Sequence, residues 1–308
     1  MKKAKRTFRV SEFIAEKLIA FIAFTSFVFI FLILVFVFKE AFPLVLGQAE
    51  DDVGMVSLKA LLNRSWIPVS NHPKYGLLPL VVGSFKVTAV AMILAFPVAV
   101  LAAIYTSTLA PKKLKEILKP AIELLAGIPS VVIGFFALMV LASFFQNTLG
   151  LTFRLNAFTG GVALSLAVIP IIYTVTEETI NALPKSMTEA SLALGATKWE
   201  TSLFVLLPAA TQGTFAGFLL GLGRAFGETM IVLMATGNSA LVTPDLFEPV
   251  RTMSAAIGAE MAEVVFGDAH YNVLFFIGAC LFVFSFTLNA IAEFFLKSKL
   301  MKRFKGAA

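Results

Sequence analysis

The sequence has little of the chemistry that metal centres and redox sites require. Its 308 residues include one cysteine, Cys280, and only two histidines, His72 and His270. A single cysteine excludes a disulfide within the chain, and its place in an apolar run predicts a packing role for Cys280. The two histidines lie in separate polar segments, which argues against a histidine-based metal or catalytic cluster. We therefore predict no metal site and no catalytic residues.

The motifs of nucleotide hydrolysis and of intramembrane proteolysis are missing as well. No G-x-x-x-x-G-K-[ST] occurs, so the chain does not bind ATP through a P-loop of its own. No H-E-x-x-H occurs, and the long apolar segments hold no Ser/His, His/Asp or paired-aspartate arrangement. An intramembrane enzyme is therefore disfavoured. We expect a protein that is not itself an enzyme and that carries no cofactor.

Charge is scarce and apolar surface is abundant. Hydrophobic residues make up 58% of the chain and charged residues only 14%, with 32 phenylalanines. A soluble core cannot absorb so much apolar surface, so the composition predicts a polytopic membrane protein. Long apolar runs are typical of transmembrane helices, and the predicted fold class is all-α with six of them. The expected spans are residues 18–38, 77–109, 120–145, 159–175, 209–234 and 273–296.

The basic residues are distributed unevenly along the chain. Most of the 25 lysines and arginines fall in an N-terminal arm (1–17), in a tail (297–308) and in the loops on the same side of the predicted spans. Lysine and arginine concentrate on the cytoplasmic side of membrane proteins. We therefore expect both termini and the 176–208 loop to be cytoplasmic. The basic excess then reflects topology and anionic lipid, and it gives no indication of nucleic-acid binding.

The loop between the fourth and fifth predicted spans carries strong helix signals. Ser186 with Glu189, and Thr197 with Glu200, have the spacing of a capping box, in which hydroxyl and carboxylate each satisfy a free backbone N–H. Gly195 lies between them, where a left-handed residue would end the first helix. The pattern predicts two short helices and a tight turn that project into water. An ordinary helix–turn–helix on the membrane surface is the alternative.

This loop resembles the cytoplasmic EAA signature of permease subunits in binding-protein-dependent ABC importers. The matching residues are Glu189, Ala190, Ser191, Gly195, Leu207 and Pro208, with Ser191 where alanine is usual and Val205 where isoleucine is usual. The resemblance implies a type I permease fold in which the loop forms a coupling helix that fits a groove on the ATPase subunit. A DNA-binding role is disfavoured because the loop offers only Lys185 and Lys198 for phosphate contacts.

The fifth predicted span combines a stripe of small residues with two charges. Gly213, Gly217 and Gly221 recur at every fourth position, a spacing that lets another helix approach closely. Arg224 and Glu228 follow on the same face, and charges inside a membrane are costly and commonly functional. One interpretation is a structural ion pair between these two residues. The other is an arginine whose planar guanidinium meets a tetrahedral oxyanion.

The runs at 126–129, 221–238 and 246–253 resemble the phosphate branch of the permease family, and the PstC type of subunit more than its PstA partner. The resemblance implies that Arg224 and Glu228 take part in phosphate passage across the plasma (inner) membrane. It also implies three partners: a second, PstA-like permease, a dimer of ATP-binding subunits that hold ATP and Mg, and an extracytoplasmic phosphate-binding protein. A sulfate or molybdate permease and a stand-alone secondary transporter are the alternatives.

Overall fold

The computed structural model describes residues 10–51, 54–56 and 58–305, and these are mostly helical. The α-helices are α1 (Val10–Val45), α2 (Leu78–Ile104), α3 (Lys112–Ala126), α4 (Ser130–Phe136), α5 (Ala142–Leu149), α6 (Ala157–Asn181), α7 (Lys185–Ala193), α8 (Lys198–Glu200), α9 (Leu207–Ala209), α10 (Thr211–Gly227), α11 (Met230–Ala235), α12 (Met253–Glu260) and α13 (Ala269–Lys305). π-helical segments continue the helical path over Tyr105–Leu109, Ala137–Leu141 and Thr201–Leu206.

Between α1 and α2 the chain forms small extended elements that composition alone did not predict. A 3-10 helix covers Leu58–Leu62. Two antiparallel hairpins pair β1 (Glu50–Asp51) with β2 (Gly54–Met55), and β3 (Trp66–Ile67) with β4 (Lys74–Tyr75). Each strand has only two residues, so the hairpins are minor additions to a helical fold.

Five helices in the described part of the chain are long and apolar enough to cross a membrane. They are Ile14–Val45, Leu78–Leu109, Ser130–Leu149, Ala157–Asn181 and Ala269–Phe294. A sixth span is obtained if the bent pair Lys198–Ala209 and Thr211–Gly227, whose axes differ by 71°, is counted as one. The helical membrane fold predicted from the composition is therefore confirmed.

The centre of the bundle is the contact between α2 and α6, which small residues make possible. A methyl group on Gly161 of α6 would lie 2.5 Å from the Cβ of Val90 on α2, so the two backbones are as close as glycine permits. Ala91, Ala95 and Ala99 recur every fourth residue of α2 and are fully buried in the main core. The helices α10 and α11, which hold the candidate site, pack onto this central pair.

Helix α1 lies at the edge of the bundle and packs against α13. The ring of Phe36 meets Phe275 edge to face at 5.5 Å, and Phe38 meets Phe282 in the same way at 6.1 Å. Most of the large apolar side chains of α1 are exposed. Sustained hydrophobicity is what a lipid-facing anchor requires. Helix α1 therefore borders the bundle and does not form part of the candidate site.

The third span begins later than the sequence predicts. A helix is expected over 120–145 with Gly127 and Pro129 inside it, but α3 ends at Gly127 and the apolar helix starts at Ser130. Pro129 has no backbone N–H and disfavours helical geometry in the residue before it, so the interruption falls there. The basic segment between the second and third spans is itself helical and forms the first part of α3, an amphipathic helix without a buried side chain.

The fifth span is interrupted, whereas the sequence predicts one continuous helix over 209–234. Helix α10 ends at Gly227, Glu228 is extended with φ −69° and ψ 130°, and α11 begins at Met230. The hydroxyl of Ser254, at the start of α12, donates a hydrogen bond to the Glu228 carbonyl at 2.7 Å. An interrupted helix needs such partners for its freed backbone groups. The expectation was wrong because this partner comes from a distant segment.

Helices α6 and α13 are longer than the expected fourth and sixth spans, 159–175 and 273–296. The side chain of Asn156 accepts a hydrogen bond from the Thr159 N–H and caps α6, which then continues to Asn181. The first residues of the predicted 176–208 loop are therefore helical. Helix α13 runs through the basic tail as far as Lys305.

Candidate functional site

The projecting loop turns at Gly195. This residue has a φ of +88°, in the left-handed region that carries a steric cost for residues with a Cβ. Its N–H donates to the Leu192 carbonyl at 3.0 Å, and the Ala196 N–H donates to the Ser191 carbonyl at 3.3 Å. This pair of bonds is a Schellman motif, which ends α7. A methyl group on Gly195 would meet no atom within 4 Å, so only the backbone angle requires glycine here.

Only one of the two expected capping boxes is present. The Thr197 hydroxyl accepts the Glu200 N–H at 3.2 Å, and the Glu200 carboxylate accepts the Thr197 N–H at 2.8 Å. The box expected at Ser186 and Glu189 does not form. Helix α7 begins at Lys185, directly after a proline at the N-cap position, so Ser186 already lies inside the helix and cannot cap it.

Hydroxyl groups hold the loop together and fix it to the bundle. Ser191 lies in the buried interior of the loop, with its Oγ 3.0 Å from the Oγ1 of Thr201. Ser202 donates a hydrogen bond to Thr108, in the π segment after α2, at 2.7 Å. The departure from alanine at Ser191 therefore has a structural use. Sequence patterns gave no signal for Thr201, Ser202 or Thr108, because their partners are distant along the chain.

The outer face of the loop is largely exposed. Glu189, Ala190, Gly195 and Pro208 are exposed, and Leu207 is half-buried. Four large apolar side chains are exposed beside them: Leu192, Leu194, Trp199 and Phe204. Exposed apolar groups gathered on one projecting element are typical of a protein–protein contact.

The glycine stripe of α10 packs against α6. A methyl group on Gly213 would lie 1.9 Å from the Oγ1 of Thr179, and one on Gly221 would lie 2.7 Å from Ile172. Gly217 also faces Ile172, with its carbonyl oxygen 3.3 Å from the methyl position. The three glycines therefore let two spans of the same chain approach closely.

We expect Gly213→Ala to destabilise the protein by about 1–3 kcal/mol, because the added methyl overpacks the α10–α6 contact. Gly223→Ala is the matched control on the same helix. The nearest atom of another helix would be the side-chain oxygen of Asn289, 3.8 Å from the added methyl. The measurement is thermal unfolding of the detergent-solubilised protein. Equal melting temperatures for the two variants would contradict this account of the stripe.

Arg224 and Glu228 do not form an ion pair in the described part of the chain. Arg224 is exposed on the last turn of α10, and Glu228 is half-exposed. The helical spacing that would bring them together is lost because α10 ends between them, at Gly227. The structure therefore gives no support to a structural ion pair, and it leaves the guanidinium of Arg224 accessible beside the interruption.

The third and fifth spans pack side by side, each just after a break in the helix. A methyl group on Gly134 of α4 would lie 3.0 Å from the Met230 carbonyl and 3.2 Å from the Ile231 Cα of α11. Helix α4 starts directly after the Gly127–Pro129 interruption, and α11 starts two residues after Glu228, at Met230. Interrupted helices at membrane depth are tolerated where they are enclosed by protein or border a cavity, and transporters use them to build substrate sites.

A polar cluster joins the segments at the end of the bundle away from the projecting loop. Glu260 accepts a hydrogen bond from Trp66 Nε1 at 3.1 Å, contacts Arg251 Nη1, and lies 2.9 Å from His270 Nε2. Burial opposes ionisation of Glu260, but the bonds from His270 and Trp66 and the charge of Arg251 outweigh it and lower the pKa of the carboxyl. His270 is thus part of a structural cluster. Sequence spacing gave no signal for it.

Lys86 secures the same end. Its ammonium donates hydrogen bonds to the carbonyls of Thr243, at 3.0 Å, and of Asp245. The segment that follows α11 is thereby fixed to α2.

A bundle of apolar spans, two of which pack side by side just after breaks in the helix, with a capped loop projecting from one end, defines a membrane transport permease. The description of the matching family model is more specific: the inner membrane component of binding-protein-dependent transport systems, matched over residues 95–299. The chain belongs to this family and is a multi-pass protein of the inner membrane.

Several bacterial permeases are similar to this protein over most of the chain. The probable ABC transporter permease YqgH of Bacillus subtilis is 37% identical over 233 residues, covering 76% of this chain and 75% of the relative. The phosphate transport system permease PstC of Mesorhizobium japonicum is 33% identical over 255 residues, 77% of each chain. PstC of Haemophilus influenzae is 32% identical over 275 residues, 82% of this chain and 86% of the relative.

Solved structures agree with the fold. A chain of a bacterial ABC transporter that imports alginate superposes with a TM-score of 0.59 at 13% identity, covering 93% of this chain and 99% of that one. The alginate transporter in complex with a periplasmic protein gives 0.57 at 13% identity, covering 92% and 96%. At this identity the likeness shows a shared fold and nothing about the substrate.

Proposed function

We propose that this chain is the membrane-spanning permease subunit of an ATP-driven importer of inorganic phosphate and forms half of its translocation path. The observation that carries the proposal is Arg224, exposed beside an interrupted span without a carboxylate partner among the described residues. A guanidinium presents a fixed fork of N–H donors that matches a tetrahedral oxyanion, and it stays charged at physiological pH. The similarity to PstC proteins favours phosphate as that anion.

Glu228 belongs to the same proposed path. It lies in the interruption that follows Arg224, and its side chain is half-exposed. A carboxylate there would repel an anion that does not also contact the guanidinium. We therefore assign direct phosphate contact to Arg224. Glu228 shapes the charge beside it.

Three partners complete the proposed complex. The exposed apolar face of the coupling loop fits a dimer of ATP-binding subunits, which would supply ATP and Mg because this chain has no P-loop. A second, PstA-like permease would supply the other half of the path. An extracytoplasmic phosphate-binding protein would deliver the anion at the opposite end. The distribution of basic residues favours cytoplasmic N- and C-termini, on the side of the coupling loop.

The test is uptake by proteoliposomes that contain this chain, the second permease and the ATP-binding subunits, with the phosphate-binding protein outside. We expect uptake of radiolabelled phosphate that requires both ATP and the binding protein and that excess sulfate or molybdate does not inhibit. Inhibition by either anion would point to a different oxyanion permease. Uptake by this chain alone, without the ATPase, would identify a stand-alone transporter and contradict the proposal.

A further inference from the structure

Helix α3 is attached to the rest of the bundle through a half-buried apolar face, which includes Leu114, Leu118 and Leu125, and through polar contacts. None of its side chains is buried, although Ile122 packs against the main core. The ammonium of Lys119 lies 3.3 Å from the Glu177 carboxylate of α6. The ammonium of Lys115 donates a hydrogen bond to the Ser107 carbonyl, in the π segment after α2, at 2.7 Å. Two lysines thus tie α3 to two different spans.

The partner of Lys119 is a buried carboxylate. The side chain of Glu177 is only 8% exposed, whereas that of Lys119 is 47% exposed. Asn181 donates a second hydrogen bond to Glu177 at 2.7 Å. A buried charge is costly unless it is paired and hydrogen-bonded, and Lys119 is the cation that the described structure provides. The bond to Glu177 also raises the pKa of Lys119, so the ammonium stays charged.

The ion pair lies between two segments that lead to functional parts of the molecule. Helix α6 ends one turn after Glu177, and the chain then enters α7, the first helix of the coupling loop. Helix α3 ends at Ala126, about two turns after Lys119. The Gly127–Pro129 interruption follows, and beyond it α4 packs against α11. Glu177 is therefore close to the coupling loop. Lys119 is on the helix that leads to the break before the third span.

We propose that Lys119 and Glu177 are a positioning pair that passes movement of the coupling loop to the start of the third span. The proposal rests on the proposed function, because it requires a partner ATPase that displaces the loop. Movement of the end of α6 would carry Glu177, and the charge attraction would make Lys119 and α3 follow. The half-buried apolar face of α3 would move with it, and the shift would reach α4, which packs on α11, through the Gly127–Pro129 segment.

The experiment uses the reconstituted complex and compares charge reversals. We expect Lys119→Glu and Glu177→Lys each to reduce phosphate uptake per ATP hydrolysed by about tenfold, within the range of coupling between distant sites. Each single variant leaves the charge at the buried position 177 without its opposite, so some loss of assembled complex is expected, and uptake is therefore compared per ATP hydrolysed by the complex that assembles. The double variant Lys119→Glu with Glu177→Lys should recover most of the lost uptake. Lys113→Glu, the same charge change at an exposed position of α3, is the control and should transport normally.

Lys119→Met keeps the assay decisive if a reversed charge prevents assembly. It removes the ammonium from a half-exposed side chain and should lower the ratio of uptake to hydrolysis in the same direction. Wild-type ratios in Lys119→Met, or an assembled double variant as defective as the single ones, would overturn the proposal. The proposed function is judged separately, by whether the wild-type complex takes up phosphate. If it carried another oxyanion, the same variants would be assayed with that anion.

Discussion

Replacement of Arg224 by glutamine should abolish phosphate uptake while the complex still assembles. The substitution nearly preserves the length of the side chain and removes its charge and its fork of donors. Because Arg224 is exposed and forms no ion pair with Glu228 in the described structure, its loss strands no buried partner and should not affect folding. We expect a decrease in uptake of more than about hundredfold, equivalent to roughly 2.7 kcal/mol. Uptake by proteoliposomes and the recovery of intact complex are the two measurements.

Three companion variants separate anion contact from a structural role. Arg224→Lys should recover little, because an ammonium lacks the planar fork that fits an oxyanion. Arg64→Gln removes an arginine exposed at the end of the bundle away from the coupling loop and should transport normally. The double variant Arg224→Gln with Glu228→Gln should remain inactive. A double variant that transports well would show that Arg224 and Glu228 only neutralise each other. That result would contradict substrate contact by Arg224.

Gly195→Val should uncouple ATP hydrolysis from transport. At a φ of +88° a β-branched residue is strained by about 1–3 kcal/mol, so the Schellman turn should rearrange and α7 should no longer hold a fixed angle to α8. We expect the variant to insert into the membrane and assemble, but to lose most of its uptake per ATP hydrolysed. The measurement is the ratio of phosphate uptake to ATPase rate in the reconstituted complex.

Gly195→Asn is the matched control for that variant. Asparagine tolerates left-handed geometry better than other residues with a Cβ, and a methyl group at this position would meet no atom within 4 Å. The asparagine variant should therefore keep most of the coupling. Normal uptake in Gly195→Val would contradict the assignment of this loop to ATPase coupling. Equal loss in both variants would mean that the exposed surface at this position, and not the backbone angle, is what matters.

The features that the sequence predicted well depend on local chemistry. A left-handed glycine after a helix and a threonine three residues before a glutamate act within one turn of chain, so Gly195 and the Thr197–Glu200 box could be identified without a fold. The helical membrane class needed only composition. The Ser186 box failed on equally local grounds, because Pro184 starts the helix earlier.

The interruptions and the long-range pairs could not be placed in the same way. Whether a span breaks at Glu228 depends on the hydroxyl of Ser254, which donates a hydrogen bond to the Glu228 carbonyl, and a partner so distant in sequence leaves no periodic signal. Lys119 with Glu177, and Trp66 with Glu260, are partners for the same reason: tertiary packing brings them together. Sequence patterns singled out Arg224 but suggested an ion pair with Glu228 along one helix, which the break in the helix removes.

The π-helical segments give the protein places at which chain length can change by one residue without loss of a span. A π turn accommodates one more residue than an α turn between the same flanking helical positions. Deleting that residue would restore a regular helix but rotate everything beyond it relative to the bundle. In the segment Ala137–Leu141, such a deletion would turn the end of the third span while leaving α4 seated on α11. Insertion and deletion at these turns thus offer a route by which related chains could reorient part of a helix in a single step.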